Sequence, residues 1–199
     1  DDMMPTAWEE VDGTGLAMGL QTVAGVGTQI NVEWAITPDM LPDGMTAYLA
    51  YSPAASGATA NDKGVGGHSA GVGSGWDVVV EHSGLMDGLN VFAGYSTIEQ
   101  NAVRADGDRN QYSIGATYAV GGATLGYQIT RDSHNMVEGT SMYENNMYGV
   151  SFAVNDDLSI SYGVMKSKKN INDGLATTDV ELEADSLQLS YSMGGASLK

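Results

Sequence analysis

Apolar and polar residues alternate with a period of two over most of the chain. In the segment 112–120, tyrosine, isoleucine, alanine and valine alternate with serine, glycine, threonine and alanine. This period indicates β-strands, because successive side chains of an extended chain point to opposite faces. The segments with this pattern are 30–36, 45–52, 76–81, 89–96, 112–120, 125–130, 148–154, 158–164 and 187–193. We therefore predict nine strands and a tenth that starts at Ala196.

The polar positions of these strands carry serine, threonine, glycine, glutamine and asparagine, with few long charged side chains. The outer face of a soluble β-sandwich usually carries lysine, glutamate and arginine instead. A barrel with lipid outside and water inside has the observed pattern. The alternation predicts an all-β, antiparallel transmembrane barrel, and a soluble all-β protein with a small-polar surface is the alternative.

The connections between the predicted strands are of two kinds. Short turns rich in glycine, asparagine and aspartate lie at 84–88, 121–122, 155–157 and 194–195. Longer polar stretches lie at 53–74, 99–108, 132–142 and 167–179. Tight turns on one rim and long loops on the other are typical of outer-membrane barrels.

One predicted strand changes phase. Val180 and Leu182 occupy even positions, whereas the apolar face resumes at the odd position Leu187. A one-residue change of phase predicts a β-bulge or bend, and we place it near Ala184.

The charge balance excludes some classes of partner. The chain has 8 lysines and arginines against 25 aspartates and glutamates, so its net charge is −17. Nucleic-acid binding needs clustered cations, so we expect no nucleic-acid partner. The absence of cysteine removes thiolate chemistry. The adjacent His82 and Ser83 would point to opposite faces of a strand. We name no catalytic residue and expect no enzyme.

Three segments resemble the general porins of Alphaproteobacteria. They are YSIGATYAVGGATLGY at 112–127, YGVSFAVNDDLSISYG at 148–163 and LQLSYSMGG at 187–195. The resemblance implies a homotrimer of 16-stranded barrels in the outer membrane of a Gram-negative bacterium. It implies passive diffusion of small hydrophilic solutes and ions through a water-filled channel, with outer-membrane lipid around each barrel.

With about ten strands, the sequence then corresponds to an internal portion of a longer porin. A small barrel of about ten strands is the alternative if 199 residues are the full length. The resemblance also implies a loop that folds into the barrel and narrows the pore. We assign residues 1–26 to that loop and residues 27–199 to consecutive strands of one barrel.

The assigned loop is acidic and contains no basic residue. Carboxylates in a narrow polar lumen attract cations and repel anions. We therefore predict a cation-preferring constriction. Its residues are Asp1, Asp2, Glu9, Glu10 and Asp12.

The segment Asp106, Asp108 and Asn110 has the spacing with which a calcium-binding loop begins. Gln111 replaces the expected glycine, and Thr117 stands where such a loop ends in glutamate. Weak calcium binding and a solvated loop are the two interpretations. We expect no other cofactor.

Two further sets of residues suggest contacts at the membrane surface. Tyr118 and Tyr191 precede glycine turns on the apolar face, and with Trp34 they are candidates for an interfacial aromatic girdle. Lys166, Lys168 and Lys169 form a basic cluster that would bind lipopolysaccharide phosphates, pair with acidic loops of a neighbour, or remain solvated.

A second hypothesis of a different class is a secreted or cell-surface all-β adhesin or surface-layer protein that binds calcium through acidic loops. In a porin, the apolar stripes face lipid. In an adhesin, they face each other in a buried core.

Overall fold

The computed structural model describes residues 23, 25–26, 31–53, 72–100, 106–172, 174–193 and 196–198. They form one antiparallel sheet of ten strands, in which the order of the strands follows the chain. The strands are β1 (Val32–Ala35), β2 (Met45–Ser52), β3 (Val72–Ser83), β4 (Leu89–Gln100), β5 (Arg109–Val120), β6 (Ala123–Ser133), β7 (Gly139–Ala153), β8 (Leu158–Asn172), β9 (Thr177–Met193) and β10 (Ala196–Leu198). This confirms the prediction of nine strands and a tenth at Ala196.

Turn chemistry explains where the hairpins close. In the turn between β3 and β4, Gly88 has φ of +76°, and a Cβ there would lie 2.1 Å from the carbonyl oxygen of Ala119. Only glycine fits this position. In the turn between β7 and β8, Oδ1 of Asn155 accepts hydrogen bonds from the backbone N–H groups of Asp157 and Leu158, both at 2.9 Å. Asparagine stabilises turns in this way.

The register places the apolar and polar positions on opposite faces. On β5, Tyr118 is paired with Leu89 of β4 and Leu125 of β6. We call the face that carries Tyr118 the outer face and the opposite one the inner face. The apolar stripe of β5 runs from Tyr112 to Val120, about 26 Å of strand. Large apolar side chains such as Ile114 are exposed along the outer face.

Two of the predicted long loops are mostly strand, so these predictions are wrong. β6 reaches Ser133 and β7 begins at Gly139, so only residues 134–138 connect them. β8 reaches Asn172 and β9 begins at Thr177. Opposite charges face each other across the extended β8–β9 pair, because Lys166 is paired with Glu183 and Lys168 with Glu181. Such cross-strand pairs stabilise a sheet without an apolar stripe.

The predicted bulge near Ala184 is also wrong. The register between β8 and β9 runs without a shift from Leu158–Tyr191 to Asn172–Thr177. Val180 and Leu182 therefore lie on the inner face, opposite to Leu187. The register shifts that do occur lie in β3, between Val72 and Gly75, and in β7, between Thr140 and Met142.

Two regions of the sheet differ in character, and we call them the first wall (β2–β5) and the second wall (β7–β9). The first wall keeps an apolar outer face along most of each strand. In the second wall, the apolar stripe of β9 begins only at Leu187, and towards the start of the strand the outer face carries Asp185, Glu183 and Glu181 instead. No helix among the described residues is both long enough and apolar enough to span a bilayer.

Candidate pore lining and its anchored segment

Small polar side chains on the inner face are joined by hydrogen bonds between neighbouring strands. Nε2 of Gln128 donates to Oγ of Ser113 at 3.0 Å. Nδ2 of Asn145 donates to Oγ1 of Thr130 at 3.1 Å. All four residues are buried. The inner face is thus a polar surface joined across adjacent strands: Asn145 is the register partner of Thr130, and Ser113 lies diagonally across from Gln128.

A buried ion pair lies on the same face, where β5 and β6 approach the rim of the longer connections. Nε of Arg109 donates to Oδ1 of Asp132 at 2.8 Å, and a second nitrogen of the guanidinium contacts Oδ2. Nε2 of His134 lies 3.2 Å from the same carboxylate. The ring of His134 packs edge-on against Tyr143, with 5.6 Å between the centroids. Charge-assisted bidentate pairing compensates the desolvation of these charges.

Val23, Gly25 and Val26, which we call the docked segment, lie against the inner face of the first wall. The backbone N–H of Val26 donates to Oδ2 of Asp77 at 2.7 Å. The backbone N–H of Gly25 donates to Oε1 of Gln111 at 2.8 Å. These bonds span 51 and 86 residues of sequence, so they connect the segment to β3 and β5.

Apolar contacts support the same docking. Val26 packs with Ala50 and Ile98. Val23 packs against Val79, with Tyr48 beside it. The segment therefore has polar contacts with β3 and β5 and apolar contacts with β2, β3 and β4.

Aromatic side chains on the outer face end several strands of the first wall. Tyr51 is paired with Trp76, and the rings of Trp76 and Tyr95 lie 5.6 Å apart. Tyr95 is paired in turn with Tyr112. The hydroxyl of Tyr95 donates to Oδ1 of Asn110 at 2.8 Å, beyond the apolar stripe. Each ring thus has an apolar body and a polar tip, as expected at an interface between lipid and water.

Comparison with known proteins identifies the family. A family model described as Gram-negative porin matches residues 2–198. The chain belongs to the Gram-negative porin family. It is therefore a protein of the Gram-negative outer membrane, and the resemblance seen in its sequence is confirmed at the level of this family.

The fold of this porin is similar to that of OmpF from Salmonella typhi, whose structure was solved in complex with daunomycin. The two have 15% sequence identity and a TM-score of 0.64. The match covers 97% of this chain and 58% of OmpF, so the chain spans less than two thirds of the length of that protein. No curated protein matches the sequence.

The predicted girdle residues of this porin all lie on the outer face. Tyr118 is paired with Leu89 and Leu125, near the short turns. Tyr191 is paired with Leu158, and Trp34 with Leu49. Their role at a membrane interface stays a prediction. Trp76 and Tyr112 also lie on the outer face and were not predicted as girdle residues, although both continue the two-residue period of their strands.

The basic cluster of this porin is divided between the two faces. Nζ of Lys166 lies 3.4 Å from Glu183, and Nζ of Lys168 lies 2.7 Å from Asp179, all on the outer face. Lys169 is on the inner face, with Nζ 5.6 Å from the centroid of the Tyr143 ring. The lysines of the outer face are paired within their own chain, which leaves less charge for external phosphates.

The remaining predicted sites stay predictions. The constriction residues Asp1, Asp2, Glu9, Glu10 and Asp12 lie outside the described residues. At the calcium candidate, the backbone N–H of Asp106 donates to the carbonyl of Asn135, the carbonyl of Asp108 accepts from Asn110, and Asn110 also binds Tyr95. Within the described ranges, no group of three or more histidine, aspartate or glutamate side chains is arranged to hold a metal ion.

Proposed function

We propose that this porin forms a water-filled channel for passive diffusion of small hydrophilic solutes and ions across the outer membrane. The observation that carries the proposal is the division of one continuous sheet into an apolar outer face and a small-polar inner face. The outer face suits contact with lipid, and the inner face suits contact with water. We extend the proposal to a homotrimer of 16-stranded barrels, as the family resemblance implies.

A preference for cations is the finer part of the proposal. Among the described strand residues, the charged inner-face positions are Glu33, Asp77, Glu81 and Asp132 against Arg109 and Lys169. The excess of carboxylates agrees in sign with the net charge of −17. A negative lumen raises the local concentration of cations and excludes anions. The acidic segment 1–26 would add to the same field.

The adhesin hypothesis receives less support. It requires the apolar stripes to face each other in a core. In the described sheet, side chains such as Ile114, Leu125 and Phe152 are exposed on the outer face instead. Family membership also favours the channel.

The test is the single-channel conductance of the full-length protein in a planar bilayer, measured in a salt gradient to obtain the reversal potential. We expect stepwise conductance in multiples of three and a cation preference. Neutralising Glu9, Glu10 and Asp12 should shift the reversal potential towards zero, because their carboxylates supply much of the negative field.

The matched control is the triple variant Asp43→Asn, Asp87→Asn and Asp156→Asn, which removes three exposed carboxylates from the short-turn rim. This control should change the reversal potential less. Equal shifts in the two triple variants would contradict an acidic constriction. Absence of conductance from the folded protein would contradict the channel itself.

A further inference from the structure

The part of the β8–β9 pair next to the rim of the longer connections reverses the polarity of the sheet. We call this part, residues 165–172 and 177–184, the upper hairpin. Below it, the outer face of β8 is apolar from Leu158 to Val164. In the upper hairpin the outer face is charged, and the inner face presents the apolar side chains of Val180 and Leu182, which are 50% and 46% exposed.

The reversal places apolar side chains where water, and not lipid, is expected. The upper hairpin continues β8 for about 26 Å beyond its apolar stripe. In the proposed channel, its inner face lines the mouth of the pore, which solutes pass on their way in. Exposed apolar side chains at such a place indicate contact with a ligand.

Lys169 lies on this inner face between an aromatic and an aliphatic side chain. Its register partners are Tyr143 on β7 and Val180 on β9. Nζ of Lys169 lies 5.6 Å from the centroid of the Tyr143 ring. Leu182 follows Val180 on the same face of β9, beside Ser167 of β8. One surface therefore combines an ammonium group, a phenol ring and two branched apolar side chains.

The ammonium of Lys169 has no carboxylate partner in the part of the chain that the structure describes. Asp132 lies in the same row of the sheet, but its carboxylate is already paired with Arg109. The carboxylates of Asp77 and Glu81 belong to β3, which is about 24 Å away from β8 along the sheet. Salt screens interactions beyond about 8 Å in physiological medium. The local charge at Lys169 is therefore positive, although the chain as a whole is acidic.

We propose that Lys169, Tyr143, Val180 and Leu182 form a binding site at the mouth of the pore for small carboxylates that carry an aromatic ring. The proposal rests on the channel function proposed above. The ammonium of Lys169 pairs with the carboxylate of the ligand, and the ring of the ligand lies on Val180 and Leu182 beside Tyr143. Binding is weak, with a Kd on the order of 1 mM, because the ion pair is open to water. Weak binding lets the solute leave the site and continue through the channel.

The three features of the site separate this ligand class from its neighbours. A carboxylate without a ring would leave the apolar side chains in contact with water. An aromatic cation would be repelled by Lys169. We therefore use 4-fluorophenylacetate as the ligand, trifluoroacetate as the anion without a ring, and 4-fluorophenethylammonium as the aromatic cation.

Fluorine NMR measures the binding of all three probes in the same way. The full-length protein in detergent is titrated with each probe, and the transverse relaxation of its fluorine signal gives the bound fraction. Protein-free micelles of the same detergent provide the correction for partitioning. We expect 4-fluorophenylacetate to bind at least about threefold more tightly than either of the other probes. Equal binding of the three probes would contradict a site for aromatic carboxylates.

The chain offers a matched control one residue away. Lys169→Gln and Lys168→Gln remove the same charge from neighbouring positions of β8, but Lys168 is on the outer face, where it is paired with Asp179. We expect Lys169→Gln to raise the Kd of 4-fluorophenylacetate about threefold to fivefold, and Lys168→Gln to leave it within about 1.5-fold. Equal effects of the two variants, or no effect of Lys169→Gln, would overturn the site.

A second variant tests the apolar part of the site. The double substitution Val180→Thr and Leu182→Thr keeps side chains with a high strand propensity and removes apolar surface. It should raise the Kd of 4-fluorophenylacetate about fourfold and leave that of trifluoroacetate unchanged. An equal change for both probes would show that the ring of the ligand does not lie on these side chains.

Planar bilayers separate failure of the site from failure of the channel. In the unmutated protein, 4-fluorophenylacetate should reduce the conductance, and it should reduce it less in Lys169→Gln. Binding without any effect on an existing conductance would overturn the location at the mouth of the pore. Absence of conductance from the unmutated protein would refute the channel, whereas the NMR titrations would still decide whether Lys169 binds the ligand.

Discussion

The first wall (β2–β5) and the second wall (β7–β9) are built from the same strand pattern but organised differently. The first wall buries polar groups on its inner face, including Asp77 and Gln111, and holds Val23, Gly25 and Val26 there. The second wall has the longest strands and places its ion pairs on the outer face, in exposed positions. The comparison teaches that an identical two-residue period can support a packed interior surface in one region and an exposed charged surface in another.

The largest difference is expected between the ion pairs of the two regions. Asp132→Ala leaves Arg109 as an unpaired buried charge at the edge of the first wall, and such a loss costs about 3–5 kcal/mol. Asp179→Ala removes the exposed partner of Lys168 in the second wall, and its effect should be unmeasurable. The measurement is the free energy of unfolding in urea with phospholipid vesicles. Similar losses of unfolding free energy in the two variants would contradict the difference between the buried and the exposed ion pairs.

A lysine on the outer face should be costly only within the apolar stripe. Ile114→Lys places a charge at the middle of the β5 stripe, which should destabilise the protein by about 2–4 kcal/mol. Ser133→Lys lies on the outer face at the end of β6, beyond the stripe, and should cost about 0–1 kcal/mol. The same unfolding assay compares them. A greater loss for Ser133→Lys would contradict the assignment of the stripe to lipid.

An added methyl group should be tolerated less on the inner face of the first wall than of the second. In Gly115→Ala, the new Cβ would lie 2.5 Å from the Phe92 ring and 2.6 Å from the carbonyl oxygen of Tyr127. Such overpacking costs about 1–3 kcal/mol. The control Ser186→Thr adds one methyl group to the half-buried inner face of β9 and should change stability by less than about 0.5 kcal/mol. Equal changes would show that the two inner faces are packed alike.

Much of the fold could be predicted from the sequence because the two-residue period is local. The existence of the strands, the short turns at Gly84–Gly88 and Gly121–Gly122, and the outer-face position of Tyr118 follow from it. The continuation of β8 to Asn172 and of β9 back to Thr177 could not be predicted from an apolar stripe, because the outer face there is charged. Its signal is the alternation of Lys166 and Lys168 opposite Glu183 and Glu181, which becomes visible only once the strands are paired.

The candidate site was harder to predict from the sequence than the fold, because it is formed by residues that are far apart along the chain. Asp77 and Gln111 are ordinary polar positions of two strands, and Gly25 is one of 27 glycines. Their association requires a register across three strands and a segment that lies far away in sequence. The pair of Arg109 and Asp132 was missed for the same reason. Sequence patterns predict the face of a residue, but not the neighbour that it binds.

A channel requires the inner face of the sheet to meet water and the outer face to meet lipid. We would measure the conductance of the full-length protein carrying a single cysteine on β8, at Ser161→Cys on the inner face or Ile160→Cys on the outer face, before and after a charged thiol reagent. We predict stepwise conductance that the reagent reduces in Ser161→Cys and leaves unchanged in Ile160→Cys. Block through Ile160→Cys with no effect at Ser161→Cys, or no conductance at all, would contradict the account.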